Sequence, residues 1–160
     1  MWDYLVVLAW LAVVFLVVGI PTLRGWEAAA IWSRPGTADA AVTVLTVVPY
    51  LGYLVLTERG TGHATWGKRR AGLVVAGADG ASPETAGIVL RNLIKVLPWQ
   101  LGHMAALRFA MATGPLWVAG LLNLASLTLL LLVAAPPLAG RRGVHDRAAG
   151  TTVVRRQEVT

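Results

Sequence analysis

Long apolar runs, broken by two short arginine-bearing stretches, set the pattern of the chain. The run from Trp2 to Ile20 has Asp3 as its only charge and stops at Pro21. At 1.5 Å per helical residue it spans about 30 Å of hydrocarbon. Ala40 to Thr57 is a second run, free of charge, with Pro49 near its middle. A proline there has no N–H to give and leaves the Leu45 carbonyl without its helical donor. Thr43 and Thr46 are close enough in sequence to help satisfy the disturbed ladder, and Tyr50 and Tyr53 are placed to face a neighbouring helix. Leu116 to Ala135 is again uncharged and ends at Pro136-Pro137. Between the first two runs, Trp26 and Trp32 flank Ala28 to Ala30 as interfacial aromatics do.

The stretch from Thr65 to Lys95 differs from these. Lys68, Arg69 and Arg70 precede a β-prone run, Leu73 to Ala76, closed by the turn dipeptide Asp79-Gly80. Ser82 and Pro83 read as N-cap and first helical residue of a helix running from Glu84 to about Leu97. Its polar stripe is Glu84, Arg91, Asn92 and Lys95, and Ile88, Leu90, Leu93, Ile94 and Leu97 cover the rest. That pattern predicts an interfacial helix with basic side chains snorkelling to headgroups. Pro98 then permits a kink, after which Trp99 to Thr113 enters the membrane and turns at Gly114-Pro115. A second β-prone run, Gly150 to Arg155, lies near the C-terminus. Each run is too short to stand alone, and pairing the two with each other accounts for both.

Composition fixes the class. Hydrophobic residues make up 56% of the 160 and charged residues 14%, against about 25% charged in a soluble domain. The fold class is therefore an all-α membrane protein. It has four membrane segments (about 2–20, 40–57, 99–113 and 116–135), an interfacial helix and a short cytoplasmic β-hairpin-like element, all in one domain. Without cysteine there are no disulfides and no thiolate metal sites.

Charge placement sets the topology. Arg59, Lys68, Arg69, Arg70, Arg91 and Lys95 fall in segment 58–97, and Arg141, Arg142, Arg147, Arg155 and Arg156 in tail 138–160. The loop between the first two runs has two such residues and the Gly114-Pro115 turn none. Positive-inside reasoning places both basic regions in the cytoplasm. Segment 99–113 must then cross, which makes this a multi-pass protein of the cell membrane with both termini cytoplasmic; a re-entrant segment would send the C-terminus outside.

The residues quoted so far carry a resemblance. Gly67-Lys68-Arg69-Arg70-Ala71-Gly72-Leu73-Val74-Val75, then Asp79-Gly80, then Leu90-Arg91-Asn92, resemble the middle of RDD-family membrane proteins. Val144-His145-Asp146-Arg147-Ala148-Ala149-Gly150-Thr151-Thr152-Val153-Val154 is similar to their closing motif. The resemblance makes Asp146 the second aspartate of the family's Arg-Asp-Asp triad and Asp3 the first. No arginine precedes Asp3 here, so the triad is incomplete in this sequence. The resemblance also implies transport, since some members have been suggested to be cation/proton exchangers.

The candidate ion-pair or cation/proton site gathers Asp3, Asp146, Lys68, Arg91, His145 and His103. Asp3 is expected near Lys68 to Arg70 and Arg141 to Arg147, most simply as a counter-ion tying helix, central segment and tail into one ion-paired knot. Binding of a cation or proton by Asp3 or Asp146 is the functional alternative. His103 is the only ionisable residue deep in a membrane segment, either a neutral hydrogen-bonded histidine or a proton relay. His145 beside Asp146 offers two adjacent residues and no third metal ligand. Arg108 is expected at the outer interface. No HExxH, Gly-x-Ser-x-Gly or P-loop is present, so no enzyme, cofactor or metal is expected.

Two function classes follow. One is a small-cation/proton transport component. The other is a non-catalytic scaffold whose basic cytoplasmic surface binds anionic lipid headgroups or another membrane protein. Small residues (Gly102, Ala105, Ala106, Ala119, Gly120) allow close helix packing, within the chain or in a homo-oligomer. Basic patches without interleaved aromatics point to headgroups before nucleic acid, so no nucleic-acid partner is expected.

Overall fold

A computed structural model describes residues 2–25, 34–112 and 114–156; the interfacial readings of Trp26 and Trp32 fall outside them. Helix α1 spans Asp3–Leu23 and α2 spans Pro35–Arg59. Next come the short helix α3 (Trp66–Arg70), strand β1 (Leu73–Gly77) and the long helix α4 (Thr85–Met111). Helix α5 (Leu116–Leu138), the short helix α6 (Val144–Ala148) and strand β2 (Thr151–Arg155) complete the order. Among the described residues, α1, α2 and α5 are long and apolar enough to cross a membrane.

Prolines shape the first two helices in the same way. Each contains one π-helical turn, Phe15–Gly19 in α1 and Thr43–Val47 in α2, closing two residues before Pro21 and Pro49. A proline ring clashes with the carbonyl four residues back and supplies no N–H, and the wider turn relieves both defects. The freed Leu45 carbonyl is satisfied from another helix: Trp10 Nε1 on α1 donates to it at 2.7 Å. Thr43 and Thr46 donate instead to the carbonyls of Asp39 and Val42 within their own helix. The threonines thus support the disturbed ladder as the sequence suggested, while the Leu45 carbonyl itself takes its donor from the neighbouring helix.

The region 84–113 also differs from expectation. Glu84 is the N-cap, and α4 then runs unbroken through Pro98 to Ala112, so interfacial helix and membrane segment are one rod. Beside it, α5 holds the proline region: Ser126 Oγ donates at 2.7 Å to the Pro98 carbonyl. Small residues bring the two rods together. Ala105 and Ala119 are buried, and a Cβ at Gly102 would meet Ser126 Oγ at 3.1 Å. Gly120 faces open space and takes no part.

The two β-prone runs pair as the pattern predicted. β1 and β2 are antiparallel, with Leu73 opposite Arg155 and Gly77 opposite Thr151. A repeat is visible around them. α3, Ala71, left-handed Gly72 and β1 are matched by α6, Ala149, left-handed Gly150 and β2. Both glycines sit where a helix ends in the left-handed region, a conformation glycine adopts at little cost. Equivalent residues Val75 and Val153 face each other at the centre of the ladder, so a local two-fold relates the units. Each unit follows a pair of long helices, and the chain reads as two like halves joined through this sheet.

Candidate functional site

Both ends of α2 carry ion pairs to α4, which fixes the two helices as antiparallel. Near the start of α2, Asp39 accepts from Arg108 through two nitrogens, Nη1 to Oδ1 at 3.2 Å and Nη2 to Oδ2 at 2.9 Å. At the other end of α2 lies Glu58, 0% exposed. Its Oε1 is 2.7 Å from Lys68 Nζ and 3.5 Å from Lys95 Nζ, and its Oε2 is 3.7 Å from Arg91 Nε. Asn92 Nδ2 donates to Oε2 at 2.8 Å. Three of the four polar residues on the α4 stripe thus converge on one carboxylate, one turn of helix placing residues 91, 92 and 95 on a common face. Glu84 does not join; it stands at the N-cap position of α4, exposed and without a side-chain capping bond.

Arg91 carries the network into the tail. Its side chain is 2% exposed, and Nη2 lies 3.2 Å from Asp146 Oδ1. Thr151 Oγ1 donates to the same oxygen at 2.9 Å, while His145 Nε2 lies 3.2 Å from Oδ2. Arg142 clamps the turn behind, donating through Nε and Nη2 to the Thr151 carbonyl at 3.1 and 2.7 Å. Burial alone would raise the Asp146 carboxyl. Hydrogen bonding to His145 and Thr151 and the Arg91 guanidinium outweigh it and hold the group below the usual aspartate range. Burial pushes the Lys95 ammonium down to about 7, with Lys68 and Arg91 adding to the shift and the Glu58 carboxylate opposing it.

Asp3 is solved by different chemistry. It starts α1, and its Oδ1 accepts from the Tyr53 hydroxyl and the Gly67 N–H, each at 2.8 Å. Thr65 Oγ1 donates to Oδ2 at 2.7 Å. The Trp66 N–H donates to the Tyr53 oxygen at 3.0 Å, so this tyrosine of α2 links Asp3 at the start of α1 to the start of α3. The expectation that Asp3 pairs with arginines is corrected: its partners are neutral donors. Arg70 instead lies over the rings of Trp2 and Trp66, 5.4 and 5.0 Å from their centroids.

Of the sequence-predicted residues, Lys68, Arg91, Asp146 and His145 come together, and Asp3 sits beside them in its own nest. His103 stands apart. It lines an apolar cavity of about 170 Å³ between α1, α2 and α4, with Trp10, Tyr50 and Trp99, and its buried Nδ1 has no hydrogen-bond partner among the described residues. Arg91 is buried in the ion network and does not snorkel, and Arg108 is held by Asp39. Sequence reasoning passed over Glu58, the centre of the network. Its signal was a lone carboxylate ending an apolar run opposite a stripe of two cations and an amide.

Apolar rods with one end closed by an ion network describe a helical protein of the membrane-associated kind. The chain belongs to the RDD family, whose model matches residues 1–150. No curated protein and no solved structure matches it.

Proposed function

We propose that this chain is a non-catalytic, multi-pass anchoring module that holds a basic cytoplasmic surface at the cell membrane for anionic lipid or a membrane-protein partner. The observation that carries the reading is the saturation of the buried carboxylates on the basic end. Glu58 already has two ammoniums, a guanidinium and an amide, and Asp146 an arginine, a threonine and a histidine. A travelling cation would have to displace these groups against the field of Lys68, Arg91 and Lys95, whereas the exposed arginines around them attract anions. Four crossings with both termini inside fit the same picture. α4 turns back into α5 within a few residues and lies along it, so a crossing by α5 carries α4 across with it.

One observation favours the second reading, a small-cation/proton transport component: the partnerless His103 nitrogen in an intramembrane cavity. Purified protein in liposomes separates the two. Anchoring expects no cation flux under a pH gradient and no change in His103→Gln vesicles. Flux abolished by His103→Gln or Asp146→Asn overturns it.

A further inference from the structure

Most basic side chains at this end already have work. Lys68, Arg91 and Lys95 serve Glu58 and Asp146, Arg70 lies on two tryptophans, and Arg142 is spent on carbonyls. Arg141 and Arg147 differ. Both are exposed, neither guanidinium has a hydrogen-bond or ion-pair partner among the described residues, and they line one pocket of about 310 Å³. The rest of the lining is Ala135, Pro136 and Ala139, the final turn of α5. No acidic residue lines it. The backbone fixes both arginines relative to that turn: the Arg141 N–H donates to the Pro136 carbonyl at 2.8 Å and the Arg147 N–H to the Gly143 carbonyl at 3.0 Å.

We propose that Arg141 and Arg147 form a binding site for a phosphoryl group, supplied by the headgroup of an anionic phospholipid. The pocket combines two uncommitted guanidiniums with a short apolar wall where an apolar helix ends. A phosphate takes paired N–H donors from guanidinium forks, and the alanine and proline surface suits the glycerol and first methylenes beneath it. The apolar wall is what selects a lipid over free phosphate. The site deepens the anchoring reading and rests on it for its position at headgroup depth.

The test uses the full chain in nanodiscs of phosphatidylcholine containing a minor fraction of phosphatidylglycerol, with retained lipid counted by native mass spectrometry. Wild type is expected to keep one phosphatidylglycerol. Arg141→Gln with Arg147→Gln should lower its retention on the order of tenfold, the worth of a charge-assisted hydrogen-bonded pair. A charge-matched control, Arg69→Gln with Arg156→Gln, should retain it. Arg147→Lys, which keeps charge and loses the fork, should fall between. Equal loss in both double variants, or no preference for phosphatidylglycerol in wild type, overturns the site. Binding of inorganic phosphate in detergent without lipid preference also overturns the lipid assignment. Cation flux in liposomes with the lipid still retained would fail the anchoring reading alone.

Discussion

Asp3 and Glu58 are neighbouring carboxylates at the same end of the helices, and they are satisfied by opposite means. Glu58 is surrounded by cations contributed by α3 and α4, with one amide. Asp3 is surrounded by a phenol, a hydroxyl and a backbone N–H, and among the described residues it makes no ion pair. The difference teaches what each does. A many-bodied ion pair fastens helices that are also packed together, as α2 and α4 are. A ring of neutral donors positions a helix that has little else to hold it, and α1 buries none of its residues among those described.

The largest effect should come from the charged site. Glu58→Gln leaves Lys68 and Lys95 without their carboxylate and Arg91 with Asp146 alone, and breaking a buried ion pair this way costs about 3–5 kcal/mol. Thermal unfolding in detergent should show the steepest loss of any single substitution at this end. Asp3→Asn, which removes no counter-ion from a cation, should cost clearly less. A ranking in the opposite order would erase the distinction between the two sites.

A smaller effect is expected at Gly67. A Cβ there would lie 2.6 Å from the Asp3 carboxylate and 2.8 Å from its backbone nitrogen. Gly67→Ala must displace the start of α1 at a cost of about 1–3 kcal/mol, typical of overpacking, while Gly120→Ala, with open space around it, should be neutral or better. The readout is unfolding midpoint together with proteolysis at the N-terminus; unchanged behaviour in Gly67→Ala would sink the nest described for Asp3.

The last comparison is a pH dependence, read as a slope across a titration in place of a single substitution. Burial holds the Lys95 ammonium down at about 7, against an ordinary 10.5. Between those values the unfolded chain binds more protons, so this group's penalty is fully present below about pH 7 and is relieved as pH rises toward 10.5. Stability should therefore climb between pH 7 and 9, and Lys95→Met should flatten the climb. Asp146 acts in the other window: its lowered value means a contribution present above its ordinary 3.8 and lost as pH falls through the folded value. A wild-type curve flat from pH 7 to 9 would contradict the burial of the Lys95 ammonium.

Much of the fold was legible because the cue was one-dimensional. Apolar length marked α1, α2 and α5, and two β-prone runs with no other partner marked the sheet. Pro98 suggested a division between an interfacial helix and a membrane segment, whereas α4 is continuous across it, with Ser126 of α5 donating to the Pro98 carbonyl. The site was half legible. Lys68, Arg91, Asp146 and His145 stood out as charges in an apolar chain. Glu58 looked like the ordinary charged end of a span, because nothing in its neighbourhood reveals that α4 will bring three polar side chains onto it. Asp3 was misassigned for a related reason: arginines are conspicuous in sequence, whereas Thr65, Tyr53 and the Gly67 N–H become a carboxylate site only after α2 and α3 fold around them.

The central segment and the tail are fastened to each other at one end of the helices. Val75 and Val153 are directly opposed in the ladder. The flanking bonds, Ala78 N–H to the Gly150 carbonyl and Arg156 N–H to the Gly72 carbonyl, make theirs a non-hydrogen-bonded pair, with Cα atoms at about 4.5 Å and close enough for a disulfide. The native chain has no cysteine to confuse the result. Val75→Cys with Val153→Cys should cross-link under mild oxidation and resist thiol alkylation, while Val75→Cys with Val154→Cys, whose side chains leave opposite faces, should stay open. Free alkylation of both thiols in the first pair would contradict the account.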